Sequence, residues 1–285
     1  MAKNRWTTPA HEVLRAGPGF RLKELDPSST PGWDDGEKAG ERRLDEVGRE
    51  LSELQERLFA QSRSGGSRSA LLVLQGMDTS GKGGIVRHVI GYVDPQGVQH
   101  HAFGVPTEVE RSHHFLWRIG RALPDPGRIG VFDRSHYEDV LVVRVHDLVH
   151  PDIWAARYDE INEFEKDVIT SGTSVVKVAL VISRAEQKAR LRERLDRPEK
   201  HWKYKPGDLD ERVLWPKYAQ AYQAVFERTS TDRAPWFVVP ADHKWYARLA
   251  VSELLARALR EQDLGWPPAN FDVEAEKTRL DAEDD

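Results

Sequence analysis

Cysteine is missing from all 285 residues. Disulfides, thiol nucleophiles and thiolate metal sites are therefore excluded, and a reducing compartment is the natural setting, so a cytoplasmic protein is expected. Long apolar runs are missing too. The longest, such as residues 175–182 with Lys177 inside, fall far short of a bilayer span, so no membrane partner is expected. The opening residues Met1-Ala-Lys-Asn-Arg-Trp6 lack the apolar stretch of a signal peptide. There is no surplus of positive charge either. With a net charge of −5 and a pI near 6.1, bulk attraction to nucleic acid is not expected, and any polyanion must be met by a local basic cluster. No internal repeat is visible. A composition of 39% apolar and 31% charged residues suits a globular chain long enough for one large domain with appendages.

The most informative stretch is residues 70–84. The apolar run Ala70-Leu-Leu-Val-Leu74 has the length of a buried parallel strand. It leads into Gly76-x-x-x-x-Gly81-Lys82, followed by a helical pattern from Ile85. Strand, glycine loop and helix in that order form a P-loop context: backbone amides curl round phosphate oxygens and the lysine meets the terminal phosphates. Gly76, Thr79, Ser80, Gly81 and Gly83 then line the phosphates, with Lys82 among them. The motif is imperfect, because Gly83 stands where a Ser or Thr ordinarily gives an oxygen to Mg²⁺. The loop carries Asp78 instead, a carboxylate able to hold the metal, orient an acceptor phosphate, or both. The plainer alternative is a glycine-rich turn with Asp78 as a turn former.

Residues 1–40 hold Pro9, Gly17-Pro18-Gly19, Pro27 and Pro31-Gly32 without sustained periodicity, which describes an irregular arm resting on the domain through Trp6, Phe20 and Trp33. Leu44, Val47, Leu51, Leu54 and Leu58 recur in steps of three and four, predicting a helix over 41–62 whose narrow seam suits a partner helix or a second subunit. A homo-oligomer, dimer or tetramer, is expected on that ground. Beyond the loop, strands are predicted at 99–103, 128–132, 174–182 and 236–239, and helices at 107–123, 157–170, 185–195, 209–229 and 244–261. Such alternation implies an α/β fold: a parallel sheet between two helical layers, with ligands at the carboxyl ends of the strands. The domain is expected to span 41–265, with a frayed acidic tail over 266–285.

Two further segments carry charge in telling places. Asp133 and Arg134 close the third predicted strand, where P-loop enzymes keep a second carboxylate for Mg²⁺ and a cation for shifting phosphate charge. The alternative makes Asp133 a helix cap and Arg134 a surface ion pair. Residues 184–205 gather nine Lys and Arg, with Arg190 and Arg194 on one helical face and Pro198 ending the helix. This reads as a lid over 184–207 closing on phosphates. The competing reading is a solvated helix laced by pairs such as Glu186–Arg190. The histidine pairs His100-His101 and His113-His114 lack a carboxylate at ligand spacing and are assigned to surface or packing.

With these segments placed, the chain resembles the family-2 polyphosphate kinases from about residue 45 to 263. The blocks that carry the resemblance are Gln75-Gly-Met-Asp-Thr-Ser-Gly-Lys-Gly-Gly84, Val93-Asp-Pro-Gln-Gly97, Phe115-Leu-Trp-Arg118, Gly130-Val-Phe-Asp-Arg-Ser-His-Tyr-Glu138, Pro198-Glu-Lys-His-Trp-Lys203, Thr229-Ser-Thr-Asp-Arg-Ala-Pro-Trp236 and Pro240-Ala-Asp-His-Lys244. The resemblance implies a P-loop kinase fold similar to thymidylate kinase, with a helical lid and an N-terminal helical extension. It implies phosphoryl transfer between inorganic polyphosphate and ADP, and AMP as well, with Mg²⁺ or Mn²⁺. It makes Asp78 and Lys82 the loop pair at the reaction centre, Asp133 and Arg134 the second-strand pair, Arg190 and Arg194 lid arginines, and Lys203 an aid on the phosphate chain. Many members with similar blocks have Asn where this chain has Asp133, and Asp where it has Gly83. Two rival readings are an ATP-dependent nucleoside monophosphate kinase, which the missing hydroxyl at Gly83 contradicts, and a non-catalytic polyanion-binding module.

Overall fold

The computed structural model describes residues 6–283; the first five residues of the expected arm, and Asp284 and Asp285 of the expected tail, lie outside the described residues. Five parallel strands form one sheet: β1 (Ser69–Gln75), β2 (Val98–Ala102), β3 (Ile129–Asp133), β4 (Thr173–Val181) and β5 (Trp236–Pro240), in the order β2-β3-β1-β4-β5. Each lies within one residue of its predicted bounds. Every residue of β1 is buried, as a continuous apolar run at the centre of a doubly covered sheet should be. The register sets Leu74 of β1 beside Asp133 of β3, so the loop after β1 and the turn after β3 emerge side by side.

The helical layers are built from α1 (Glu37–Arg63), α2 (Lys82–His88), α3 (Pro151–Thr170), α4 (Arg184–Asp196), α5 (Trp215–Thr229) and α6 (Lys244–Arg260), with α7 (Val273–Asp281) in the tail. On one face, α1 and α6 close over Leu72, Leu74, Val178 and Val239; on the other, α3 and α5 close over Leu71, Val73, Phe132 and Trp236. The described stretch of the arm crosses the free edge of β5. Ala16 donates to the Trp236 carbonyl and Val238 to that of Leu14, both at 2.8 Å, covering an otherwise open edge. Trp6 meets Trp33 edge-on at 5.5 Å, and Phe20 meets Phe226 at 5.7 Å.

Several expectations are corrected. The Leu44–Leu58 seam is not a subunit face, because it packs within the chain against α6, where Leu51 and Val47 are fully buried. Close packing of the helix depends on Gly40, where an added Cβ would stand about 2.5 Å from the Trp245 ring of α6, and on Gly48, where it would stand 2.4 Å from the ring of Tyr92 in the turn before β2. The predicted helix over 107–123 is two short pieces, Glu108–Arg111 and Trp117–Arg121. Thr107 and Glu110 box the first, and Trp117 donates to the His114 carbonyl in a tight turn between them. The predicted helix over 209–229 breaks at Leu214, because Pro216 can only open a new helix. In the tail, Asp272 caps α7 by accepting from Glu274 and Ala275 at 3.0 Å, so residues 273–281 are helical rather than frayed, though none of them is buried. Among the described residues no helix is long and apolar enough to cross a membrane.

Candidate active site

The loop between β1 and α2 is held in a conformation few sequences allow. Gly76 has φ of 150°, and a Cβ there would lie 2.6 Å from the Leu180 carbonyl, so only glycine fits. Thr79 adopts φ of 65°, a left-handed conformation that costs a β-branched residue and marks a segment held by its surroundings. The Lys82 ammonium donates to the Gly76 carbonyl at 2.7 Å, closing the loop on itself. No side chain caps the start of α2, and the hydroxyls of Thr79 and Ser80 are buried with no partner. Loop amides, a helix start and two orphaned hydroxyls thus converge where an anion would be received.

Beside the loop stands the turn after β3. Arg134, with φ of 64°, donates to Asp78 at 3.2 Å. Asp133 caps no helix. The cap is Ser135, accepting from the Tyr137 amide at 3.2 Å in the 3₁₀ turn His136–Asp139, which removes the alternative role for Asp133. That turn returns Glu138 to the loop, where Gln75 donates to it at 3.0 Å. Burial pushes the Glu138 carboxyl above the usual range, against the pull of Arg134 and Lys82. Burial also pushes the Lys82 ammonium below its ordinary value; Asp133, Asp78 and Glu138 oppose that shift and Arg134 adds to it. Two cations and three carboxylates therefore stand close enough to act on one another's charge, with Lys82 the most enclosed of them. In the sequence, Glu138 stands out only as the last residue of a block. Its spacing of five residues from Asp133, across a one-turn helix, is the signal that could have singled it out.

The segment after β4 differs from a freely moving cationic arm. Arg190 is only 6% exposed. Its guanidinium donates to the carbonyls of Thr79 (2.9 Å), Ser80 (3.1 Å), Ala241 (2.6 Å) and Asp242 (3.1 Å), and to Glu186 at 2.6 Å. The expectation of a phosphate-facing Arg190 is corrected here: with those contacts made, it is a strut beneath the loop. Gln187 joins it, donating to the Asp78 carbonyl at 3.2 Å. Arg194 is more open, reaching the Lys203 carbonyl at 3.0 Å and Asp208 at 3.3 Å. Lys203 lies over the Trp202 ring at 4.9 Å, and that indole is 76% exposed. The four paired histidines sit outside this arrangement; His113 stacks on Trp117 and His114 pairs with Glu160.

All twelve residues singled out from sequence line one cavity of about 1120 Å³, bounded by the loop, the β3 turn, the 184–208 segment and α6. Eleven Lys and Arg line it against seven Asp and Glu, a local reversal of the chain's net negative charge. The cavity has room for an extended anion and brings cations and carboxylates together along its wall.

Comparison with known proteins gives a consistent result. The family model described as Polyphosphate kinase 2 matches residues 34–265. An AMP/ADP-polyphosphate phosphotransferase of Meiothermus ruber is 45% identical over 248 residues, covering 87% of this chain and 91% of that protein. An ADP-polyphosphate phosphotransferase of Rhodopseudomonas palustris is 42% identical, covering 76% of this chain and 78% of that one. The crystal structure of Polyphosphate Kinase 2 from Arthrobacter aurescens TC1 superposes with a TM-score of 0.96 at 52% identity, over 98% of both chains.

Proposed function

The chain belongs to the polyphosphate kinase 2 family, and from that premise we propose that it moves a phosphoryl group between inorganic polyphosphate and ADP, and AMP as well. The observation that carries the proposal is the meeting of Lys82, Arg134, Asp78 and Asp133 on the wall of a cation-lined cavity. Phosphoryl transfer asks little covalent help; it needs two phosphate chains set end to end and the spreading charge neutralised. Lys82 and the loop amides grip the phosphoryl group in transit. Arg134, held by Asp78, meets its equatorial oxygens. Arg194, Lys203 and the cations of α6 hold the donor chain, which has no base or sugar to recognise. Arg190 and Gln187 keep the loop in the shape this requires.

Magnesium suits the donor set. Asp78 and Asp133 would hold it, and when bound it would neutralise phosphate oxygens during transfer. The orphaned hydroxyls of Thr79 and Ser80 are further hard oxygens in the same loop. Gly83 supplies none, and an added Cβ there would meet nothing within 4 Å, so sterics do not exclude the usual Ser or Thr.

Purified protein incubated with ADP, long-chain polyphosphate and Mg²⁺ or Mn²⁺ is expected to form ATP. Phosphorylation of AMP by ATP, with no product from polyphosphate, would instead support a nucleoside monophosphate kinase. Polyphosphate binding without turnover would support a passive module.

A further inference from the structure

Lys177 is a buried charge that the chemistry of transfer leaves without a task. It sits in the middle of β4, fully enclosed, on the face covered by α3 and α5. Its ammonium donates to Glu165 of α3 at 2.6 Å, to the Tyr137 hydroxyl at 2.9 Å and to the Thr229 carbonyl at 2.7 Å. The Tyr137 hydroxyl donates to Glu165 at 2.8 Å, and His136 reaches the same carboxylate oxygen at 3.2 Å. The Trp236 indole donates to the Thr229 hydroxyl at 2.9 Å, and its ring stands 4.7 Å from that of Tyr137. Well-packed apolar residues in place of such a pair are often neutral or stabilising, so stability alone is a poor reason for these charges.

What the network grips is informative. His136 and Tyr137 belong to the 3₁₀ turn after β3, and they point away from the cavity into the buried cluster. Their neighbours in the chain, Arg134 and Glu138, point the other way and line the cavity. The turn is thus fastened from below by Lys177 and Glu165 and presents its charged groups above. Arg134 holds a left-handed backbone conformation with its amide on the Leu74 carbonyl at 3.0 Å, so its placement depends on how the turn sits against β1. Ser135, between the two sides, is tied to Gln75 at the end of β1, one residue before the loop.

We propose that Lys177 and Glu165 are positioning residues for phosphoryl transfer, fixing Arg134 and Glu138 against the P-loop through Tyr137 and His136. The inference deepens the function proposed above and rests on it. The pair touches no substrate; it acts through the turn. A displacement of about 1 Å in such a group is enough to lower turnover by one to two orders of magnitude.

The experiment compares the parent, Lys177→Met, the double variant Lys177→Met with Glu165→Leu, and Tyr137→Phe in ATP formation from ADP and polyphosphate, alongside thermal midpoints. A parent that forms no ATP defeats the functional reading and not this one in particular. With an active parent, Lys177→Met is expected to lose both stability and turnover, because it strands the Glu165 charge. The double variant is expected to recover the midpoint while kcat stays at least about tenfold low and KM for ADP stays within about twofold. Recovery of kcat together with stability would mean that the pair only holds the fold, and would overturn the proposal. Should the double variant fail to fold, Tyr137→Phe decides the question. It keeps the ring and removes the hydroxyl that joins the turn to Lys177, leaving His136 on Glu165, so a several-fold fall in kcat at an unchanged KM for ADP supports positioning, and an unchanged kcat defeats positioning by Lys177.

Discussion

At the residue scale the two arginines of α4 divide the work that their spacing assigns to both. Arg190 and Arg194 stand one turn apart and both border the cavity, yet the guanidinium of Arg190 is taken up by carbonyls beneath the P-loop while that of Arg194 is more open. Arg190→Lys keeps the charge but cannot span the carbonyls of the loop and those after β5, so buried acceptors lose their donor. About 2–3 kcal/mol of stability should go with them, read from denaturant midpoints, and kcat should fall as the loop relaxes. Arg194→Ala should leave the midpoint nearly unmoved and raise KM for polyphosphate. Equal effects of the two substitutions would deny the division. Glu138 offers a test by pH. Burial holds its carboxyl above the usual range, so protonation favours the folded state. That contribution is complete below the ordinary Glu value of about 4.3 and is lost as pH rises through the raised value. In the absence of substrate, the parent's thermal midpoint should therefore decline relative to that of Glu138→Gln over this window. A constant difference would show that Glu138 is not perturbed.

At the scale of elements, α1 shows how far an amphipathic pattern can be read. The helix and its seam were legible because leucines at three- and four-residue steps leave little choice of face. The partner was not legible, since periodicity states that a face must be covered and not by what. The cover is α6 of the same chain, so Leu51→Ala should cost about 2–5 kcal/mol without changing the mass measured by light scattering. A change of assembly state would return the seam to the subunit interface. The strands were legible for a related reason: β1 and β4 are apolar runs of strand length bounded by turn residues. The break at Pro216 was also there to be read, because proline has no amide to continue a helix. The split between residues 111 and 117 was not, since it depends on where Phe115 and Leu116 pack across the core. Within the site, the types and order of the loop residues announced phosphate. The tie between Gln75 and Glu138, and the burial of Arg190, depend on contacts between segments far apart in sequence and had no local sign.

At the scale of the whole molecule, charge is sorted rather than balanced. The chain carries −5 overall, with acids gathered in the tail, while the cavity wall holds a cationic surplus. Along α2 and α6, Arg87 and Arg248 both line it. Burial lowers the Arg248 pKa, Glu41 opposes the shift and the neighbouring Arg87 adds to it, so these cations are set close at some electrostatic cost. Such a surface favours a chain of phosphates that meets many cations at once over a nucleotide that meets few. The two substrates should therefore respond differently to salt, because screening shortens from about 10 Å at 0.1 M to about 3 Å at 1 M and a bound polyanion releases many counterions. Between 50 and 500 mM NaCl, KM for long-chain polyphosphate is expected to rise by about tenfold or more, and KM for ADP by less than about threefold. Equal salt dependence for both substrates would mean that the donor is held at the P-loop alone. The cations of α2, α6 and residues 194–205 would then serve only to keep an acidic protein's cavity open to anions.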